Sequence, residues 1–468
     1  LRPVRNWYFD LPNFREQLGE IAENLEADPE VRPVVSQTAK EFLVPPVIYI
    51  KNELEADYRA IESKLPAHEF HAAEGNKQSF ELEFANIESR DAARDELTAA
   101  GIRFRTGKAL VPFRISGNVE WGVKVPEMEG VDDLTVWCWP ESLWAPVSFS
   151  ATALEARGEE LSAVRDWWCS PDARVYQFIG QDNLYFYGVA QPALWMALES
   201  GNAEVAYPQP GDLQQTTLIA NHHILFGKVK ASSSGAVKPP SADQLLEHYT
   251  VDQLRAHWLG LGLDVKSVGF KPKPFEADEA KRNDPRVADP VLKEGALLTN
   301  VFNRLARSCF YEAQKNFEGF MPLGAPAADV VARCHKAMAE YEAIMHKAEL
   351  HSVMTLMDDF IRWAQKHWAD GIKAAEGADD ADMRRQILVD SFFTLRVATL
   401  LMHPVAPDGC EKIVEHLGLP AERVFSWNAP FEGMAELCDA ADVEACRHAI
   451  VELPPRTDFF AKHESQFK

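Results

Sequence analysis

The spacing of apolar positions changes along the chain, and each change predicts a different kind of structure. Through residues 45–115 short alternating runs are separated by helical stretches. Val47-Ile48-Tyr49-Ile50 predicts a strand, Glu53–Leu65 a helix, and His68–Phe84 a hairpin broken at Gly75-Asn76. Alternation is clearest in Phe80-Glu81-Leu82-Glu83-Phe84. Ser89–Ala100 predicts a second helix closed by Gly101, and Ile102–Ile115 a returning strand. That βαββαβ order predicts a small ferredoxin-like α+β module. Residues 116–245 read as α/β: a strand over Leu134–Trp139, then a helix beginning at Ser150. A strand over Val175–Gly180 ends in a turn at Gln181-Asp182-Asn183, and a helix follows over Phe186–Leu198. After a helix and a Pro-rich connector in 246–290, apolar residues recur every three and four positions. Helices over Ala327–Leu350, His351–Ala374 and Met383–Met402 predict a bundle. The fold class expected is therefore α/β plus all-α.

Composition narrows the picture. At 468 residues the chain is expected to hold two or three domains. It is 46% apolar with no long apolar run, so neither a transmembrane segment nor a signal peptide is expected. Its first residue is Leu, which predicts a trimmed or omitted start. The seven cysteines (138, 169, 309, 334, 410, 438, 446) are scattered without a Cys-x-x-Cys pair. That pattern predicts reduced thiols in a cytoplasmic protein, without a zinc knuckle. A net charge of −23 argues against loose nucleic-acid binding and leaves room for a specific RNA held on a local basic face. His68 and His71 stand three apart on a strand, which sends them to opposite faces, so no metal site is expected there.

The candidate chemistry centres on Ile224–Leu259, an apolar strand end, a Ser-rich loop and an amphipathic helix. Lys228 and Lys230 on that flexible loop suit a transient clamp on phosphate. A solvated surface loop with incidental lysines is the alternative.

Here the sequence resembles the methionyl-type class I aminoacyl-tRNA synthetases. Lys228-Val229-Lys230-Ala231-Ser232 is similar to the family's KMSKS loop, with Ala231 at its second lysine position. Gly235-Ala236-Val237-Lys238-Pro239 follows, then Tyr249-Thr250-Val251-Asp252-Gln253-Leu254-Arg255, which resembles the family's Tyr-x-x-Asp-x-Leu-Arg helix. Trp7-Tyr8-Phe9-Asp10-Leu11 resembles the exit from the connective peptide, and Val119–Pro126 the "WGIPVP" strand. Asn300, Asn303 and Arg304 resemble the "LGNxxNR" signature, and Pro454–Phe460 the returning tail. The resemblance implies the carboxy-terminal part of a Rossmann-like catalytic domain with a helical anticodon-binding-type bundle. The implied segments are 1–44 (end of the connective segment), 45–115 (ferredoxin-like insertion) and 116–245 (Rossmann-like catalytic half). The remaining three are 246–290 (stem-contact linker), 291–430 (bundle) and 431–468 (tail).

By the same resemblance, ATP with Mg2+, an amino acid of the methionine type and tRNA are the implied ligands. Lys228 and Lys230 would hold phosphates, Asp182 the substrate ammonium, and Trp137 and Tyr187 the amino-acid pocket. Asn300, Arg304 and Trp368 would face the anticodon. Without the resemblance Asp182 reads as a turn cap, Trp137 as core, Asn300 as a helix-start cap and Arg304 as a surface charge.

Several positions depart from the family pattern. No His-x-Gly-His motif occurs, which implies that a missing amino-terminal half or a partner chain completes the site. Gln181 replaces a lysine, Gly117 an arginine, and Tyr187 a histidine. These changes remove positive charge from a site that must stabilise a pentavalent phosphate, and predict weak or absent methionine activation by this chain alone. Two other readings stay open: an inactive paralogue kept as a binding module, and an adenylating ligase with a different acceptor.

Overall fold

In Ser79–Phe84 alternate residues Phe80, Leu82 and Phe84 are buried, and the polar residues between them face outward. This is the two-residue period of a half-covered sheet. The computed structural model describes residues 5–127, 133–199, 207–226, 229–230, 238–427 and 431–467. The chain divides into two units, Leu1–Asn221 and His222–Lys468.

The first unit opens with helices α1 (Arg15–Ala27) and α2 (Pro33–Leu43). There follow β1 (Val47–Lys51), α3 (Glu55–Ile61), β2 (His68–His71), β3 (Ser79–Phe84), α4 (Ile87–Ala99) and β4 (Phe104–Thr106). The strands lie in the order β2-β3-β1-β4, every neighbour antiparallel. Ile48, Ile50, Phe80, Leu82 and Phe84 pack on Tyr58 of α3 and on Ala93 and Leu97 of α4. The buried Tyr58 hydroxyl meets Glu62 and His68 Nε2, each at 2.9 Å. Asn86 caps α4 by accepting from Ser89 N, and Gly101 ends it at φ +74, a conformation that costs glycine nothing.

Further on, the pattern and the structure part. The strand expected over Val119–Pro126 is a single bridge, Lys124 to Thr135, with Trp121 89% exposed. Gly122 sits at φ +138, which breaks the extended backbone that the resemblance implies. The strand expected over Leu134–Trp139 is only Thr135–Val136, and α5 begins at once, over Cys138–Ala156. Pro140 and Glu141 fall in its first turn, where proline loses no hydrogen bond and a carboxylate meets the helix dipole. The apolar run conceals this start.

A parallel pair follows, β5 (Tyr176–Gly180) and β6 (Thr217–Asn221), with α6 (Gln191–Glu199) between them in sequence. Gln177 donates to Gln191 Oε1, and Gln191 donates to Leu143 O, both at 2.9 Å, so the polar groups under β5 are paired. At the carboxyl end of β6, Arg32 Nη1 donates to Ala220 O and to Asn221 Oδ1, each at 2.8 Å.

In the second unit, β7 (Ile224–Phe226) pairs in parallel with Val268–Gly269 and antiparallel with Val229–Lys230. Helix α7 (Val251–Gly260) starts from a capping box between Thr250 and Gln253. The bundle comprises α8 (Asn303–Asn316), α9 (Ala328–His346), α10 (His351–Ala378), α11 (Ala381–Met402) and α12 (Pro407–Leu417). Every residue from Leu388 to Met402 is buried, so α11 is the central helix. Ser391 and Thr399 donate to carbonyls one turn back at 2.7 Å, while the buried Arg396 reaches Glu432 O through Nη1 and leaves Nε and Nη2 without a hydrogen bond among the described residues. Asp390 accepts from Ala327 N at 2.8 Å and so caps α9. No helix among the described residues is long and apolar enough to cross a membrane.

Candidate functional site

Three expected site residues fall in the first unit. Trp137 stands immediately before α5, its N–H donating to Ile115 O at 2.9 Å. Its half-buried ring lies 6.0 Å from Phe113, and the Arg114 guanidinium sits 4.3 Å from the ring centroid. Trp137 follows the antiparallel pair Ser116–Gly117 and Thr135–Val136, a sheet separate from β5–β6. It shares an apolar core with Phe186 and Tyr187, which follow β5.

Asp182 stands at the end of the parallel strands. It is exposed in a short turn over Gln181–Asn183, directly beyond the carboxyl end of β5. Ligands of open α/β sheets gather at that end. A Cβ at Gly180 would lie 2.7 Å from Asp182 Oδ1, so the glycine allows the carboxylate to fold back over the strand end. Tyr187 lies five residues on, in the π-helical turn Phe186–Ala190, half-buried and packed on the same core as Trp137. Beside it Trp139 and Phe186 stack with centroids 3.6 Å apart. The cavity that Tyr187 lines with Trp195 and Leu218 measures about 20 Å³, room for one water and no amino-acid side chain. A wider groove of about 640 Å³, lined by Trp167, Arg174 and Tyr176, lies at the amino end of β5, away from Asp182.

The second unit holds the lysine segment. Lys230 pairs with Leu225 in the short hairpin off β7; only its backbone is described. Lys228, Ala231, Ser232 and Gly235 to Val237 lie outside the described residues.

The helix beyond is structural at each position that carries the resemblance. Tyr249 is buried with its hydroxyl donating to Asp289 at 2.6 Å, and burial with that carboxylate pushes its pKa far up. Arg255 donates to Val405 O at 2.9 Å and to Pro404 O at 2.6 Å. Asp252 is buried close to Asp408, and burial first, then that like charge, pushes its pKa up to about 6.

Asn300 and Arg304 are both exposed, four residues apart and so on one helical face. Trp368 is a correction. It is 7% exposed within the bundle core of α10, so its ring offers no face to a partner. The partly open ring there is Trp363, stacked with His367 at 5.7 Å. Asn303 has a role the sequence reading did not give it. Fully buried, its amide donates to Phe460 O at 2.9 Å and accepts from the N–H groups of Phe459 and Phe460 at 3.0 Å. Arg307 adds an ion pair to Asp458 at 2.8 Å. The three closely spaced residues of that signature thus divide: two face solvent and one clamps the tail.

With this geometry in hand, comparison with known proteins gives a consistent result. A family model described as tRNA synthetases class I (M) matches residues 76–278. A crystal structure of Mycobacterium tuberculosis methionyl-tRNA synthetase bound by methionyl-adenylate superposes with a TM-score of 0.52 at 21% identity, over 88% of this chain and 66% of that one. The fold is that of a class I aminoacyl-tRNA synthetase. Among curated relatives, the methionine–tRNA ligase of Methanoculleus marisnigri is 23% identical over 304 residues, 65% of this chain and 41% of that protein. That of Chloroflexus aggregans is 31% identical over 203 residues, 42% of this chain and 33% of that protein. Over these segments the chain is similar to methionyl-tRNA synthetases, and it spans half or less of the length of these relatives.

Proposed function

We propose that this chain is the carboxy-terminal part of a methionyl-tRNA synthetase-like ligase that activates an amino acid with ATP and transfers it to tRNA. The observation that carries the reading is Asp182, an exposed carboxylate folded over the carboxyl end of a parallel strand, where a substrate ammonium would be met. Trp137 and Tyr187 contribute to amino-acid binding beside Asp182, and Lys228 and Lys230 clamp the phosphates of ATP, which arrives as its Mg2+ complex. The substrate carboxylate attacks the α-phosphate, pyrophosphate leaves, and a terminal hydroxyl of tRNA then attacks the acyl carbon with release of AMP. Asn300 and Arg304 form the anticodon-side contact. An amino-terminal half or a partner chain supplies the phosphate-cradling motif, and the ferredoxin-like insertion is carried as an accessory module. Cytoplasmic residence and reduced thiols fit this role.

The replaced cations at Gly117, Gln181 and Ala231 favour a second reading, a paralogue that binds without activating. ATP–pyrophosphate exchange on the full gene product separates the two. Methionine-dependent exchange supports the ligase, and its absence from folded protein that still binds tRNA supports the binding module.

A further inference from the structure

The outer face of the four-stranded sheet carries a feature unrelated to amino-acid activation. On β2, Glu69 and His71 are two residues apart and so share that face, and on β3 Glu83 lies directly opposite Glu69 in the antiparallel register. His71 Nε2 stands 3.2 Å from Glu83 Oε2 and 4.0 Å from Glu69 Oε2. The three ligand atoms all lie within 4.8 Å of one another. Two carboxylates directly across a ladder repel each other. Neither has a lysine or arginine partner among the described residues, whereas Glu81, the next carboxylate on β3, is paired with Lys77 at 3.1 Å.

We infer that Glu69, His71 and Glu83 form a divalent-cation site of the zinc type. Tetrahedral zinc with bonds near 2.0 Å needs neighbouring donor atoms about 3.3 Å apart. One separation already matches, and the others would close by rotation of the exposed Glu69 and the half-buried Glu83 side chains. One imidazole and two carboxylates, with water completing the shell, suit zinc and other late first-row ions. Magnesium, which demands all-oxygen octahedral surroundings, is poorly served by this set.

The consequence is local. β2 is an edge strand, held on one side only. A cation bridging Glu69 and His71 of β2 to Glu83 of β3 clips that edge to its neighbour and neutralises the facing carboxylates. The sequence reading set aside the pair His68 and His71, and strand alternation does separate them: His68 bonds to Tyr58 behind the sheet. His71 finds its partners at Glu69, two residues back, and across the ladder at Glu83.

Isothermal titration of the full chain with ZnCl2 at pH 7.5, beside His71→Ala, Glu83→Gln and the double variant Glu69→Gln/Glu83→Gln, tests the assignment. All three positions are at or near the surface, so each variant should fold, which circular dichroism checks. The expected result is one saturable site that is weakened by about tenfold or more in each variant. A wild-type isotherm without a saturable site, or one unchanged by His71→Ala, overturns the proposal. A site lost with His71→Ala but untouched by both glutamate variants also overturns it, because that pattern belongs to a lone histidine.

Discussion

Replacing Asn303 with alanine should release the carboxy-terminal tail and lower the stability of the second unit. Asn303 is fully buried, and its amide makes three hydrogen bonds to tail backbone: Phe459 N–H, Phe460 N–H and Phe460 C=O. A fourth goes back to Thr299 O at 3.0 Å. Alanine leaves three buried tail groups without partners, each costing about 1–3 kcal/mol if no water reaches it. Partial hydration of the loosened tail reduces the sum, so a loss of about 3–5 kcal/mol is expected. The rings of Phe459 and Phe460, each 1% exposed, depend on the same clamp for their placement. Urea unfolding followed by far-ultraviolet circular dichroism measures the loss, and trypsin cleavage at Arg456 or Lys462 reports tail release. Asn303→Asp sharpens the test. It retains an acceptor for the two N–H groups but sets an oxygen against the carbonyls of Thr299 and Phe460, so it should be destabilising too. An alanine variant within about 0.5 kcal/mol of wild type, with an equally protected tail, would refute the clamp.

Asp252 gives a pH-dependent prediction. Its folded pKa of about 6 lies above the ordinary 3.8, so the folded chain holds a proton that the unfolded chain has lost between those values. Stability from this group is therefore greatest in acid and falls as pH rises from about 4 to about 6, a loss of about 3 kcal/mol. Asp408 deepens the penalty, while the Gly409 N–H, Lys412 and Arg255 offset part of it. Asp252→Asn should raise the melting temperature at pH 8 and leave it nearly unchanged at pH 4; equal shifts at both would contradict the assignment. In the bundle, Trp368→Ala should cost about 3–5 kcal/mol, the price of emptying a core site. Arg304→Glu should leave stability within about 0.5 kcal/mol and weaken tRNA binding. If stability moves for Arg304 and not for Trp368, the surface and core assignments are reversed.

Much of the architecture was readable because periodicity and caps coincide. In residues 79–84 alternation has one solution, a strand with Phe80, Leu82 and Phe84 inward. In α11 apolar residues recurring every three and four positions announce a bundle helix, but the burial of polar residues such as Asp390 and Arg396 on its other faces does not show in that spacing. The reading fails where a single residue outweighs the pattern, as Gly122 does in Val119–Pro126, or where Pro140 starts a helix inside an apparent strand. Side-chain roles were harder to read. The turn position of Asp182 after a strand follows from local order, while a ligand role for it comes only from the resemblance. The roles of Asn303 and Trp368 did not emerge, because which face of a helix meets a distant tail or core depends on contacts far apart in sequence. The cross-strand meeting of His71 and Glu83 depends likewise on hairpin register.

The most direct test of the central claim is ATP–pyrophosphate exchange on the full gene product, with methionine and then the other amino acids, beside Asp182→Asn. Exchange with methionine, reduced about a hundredfold or more in the variant, is the predicted result. Folded protein that exchanges with no amino acid, or exchange indifferent to Asp182, would contradict it.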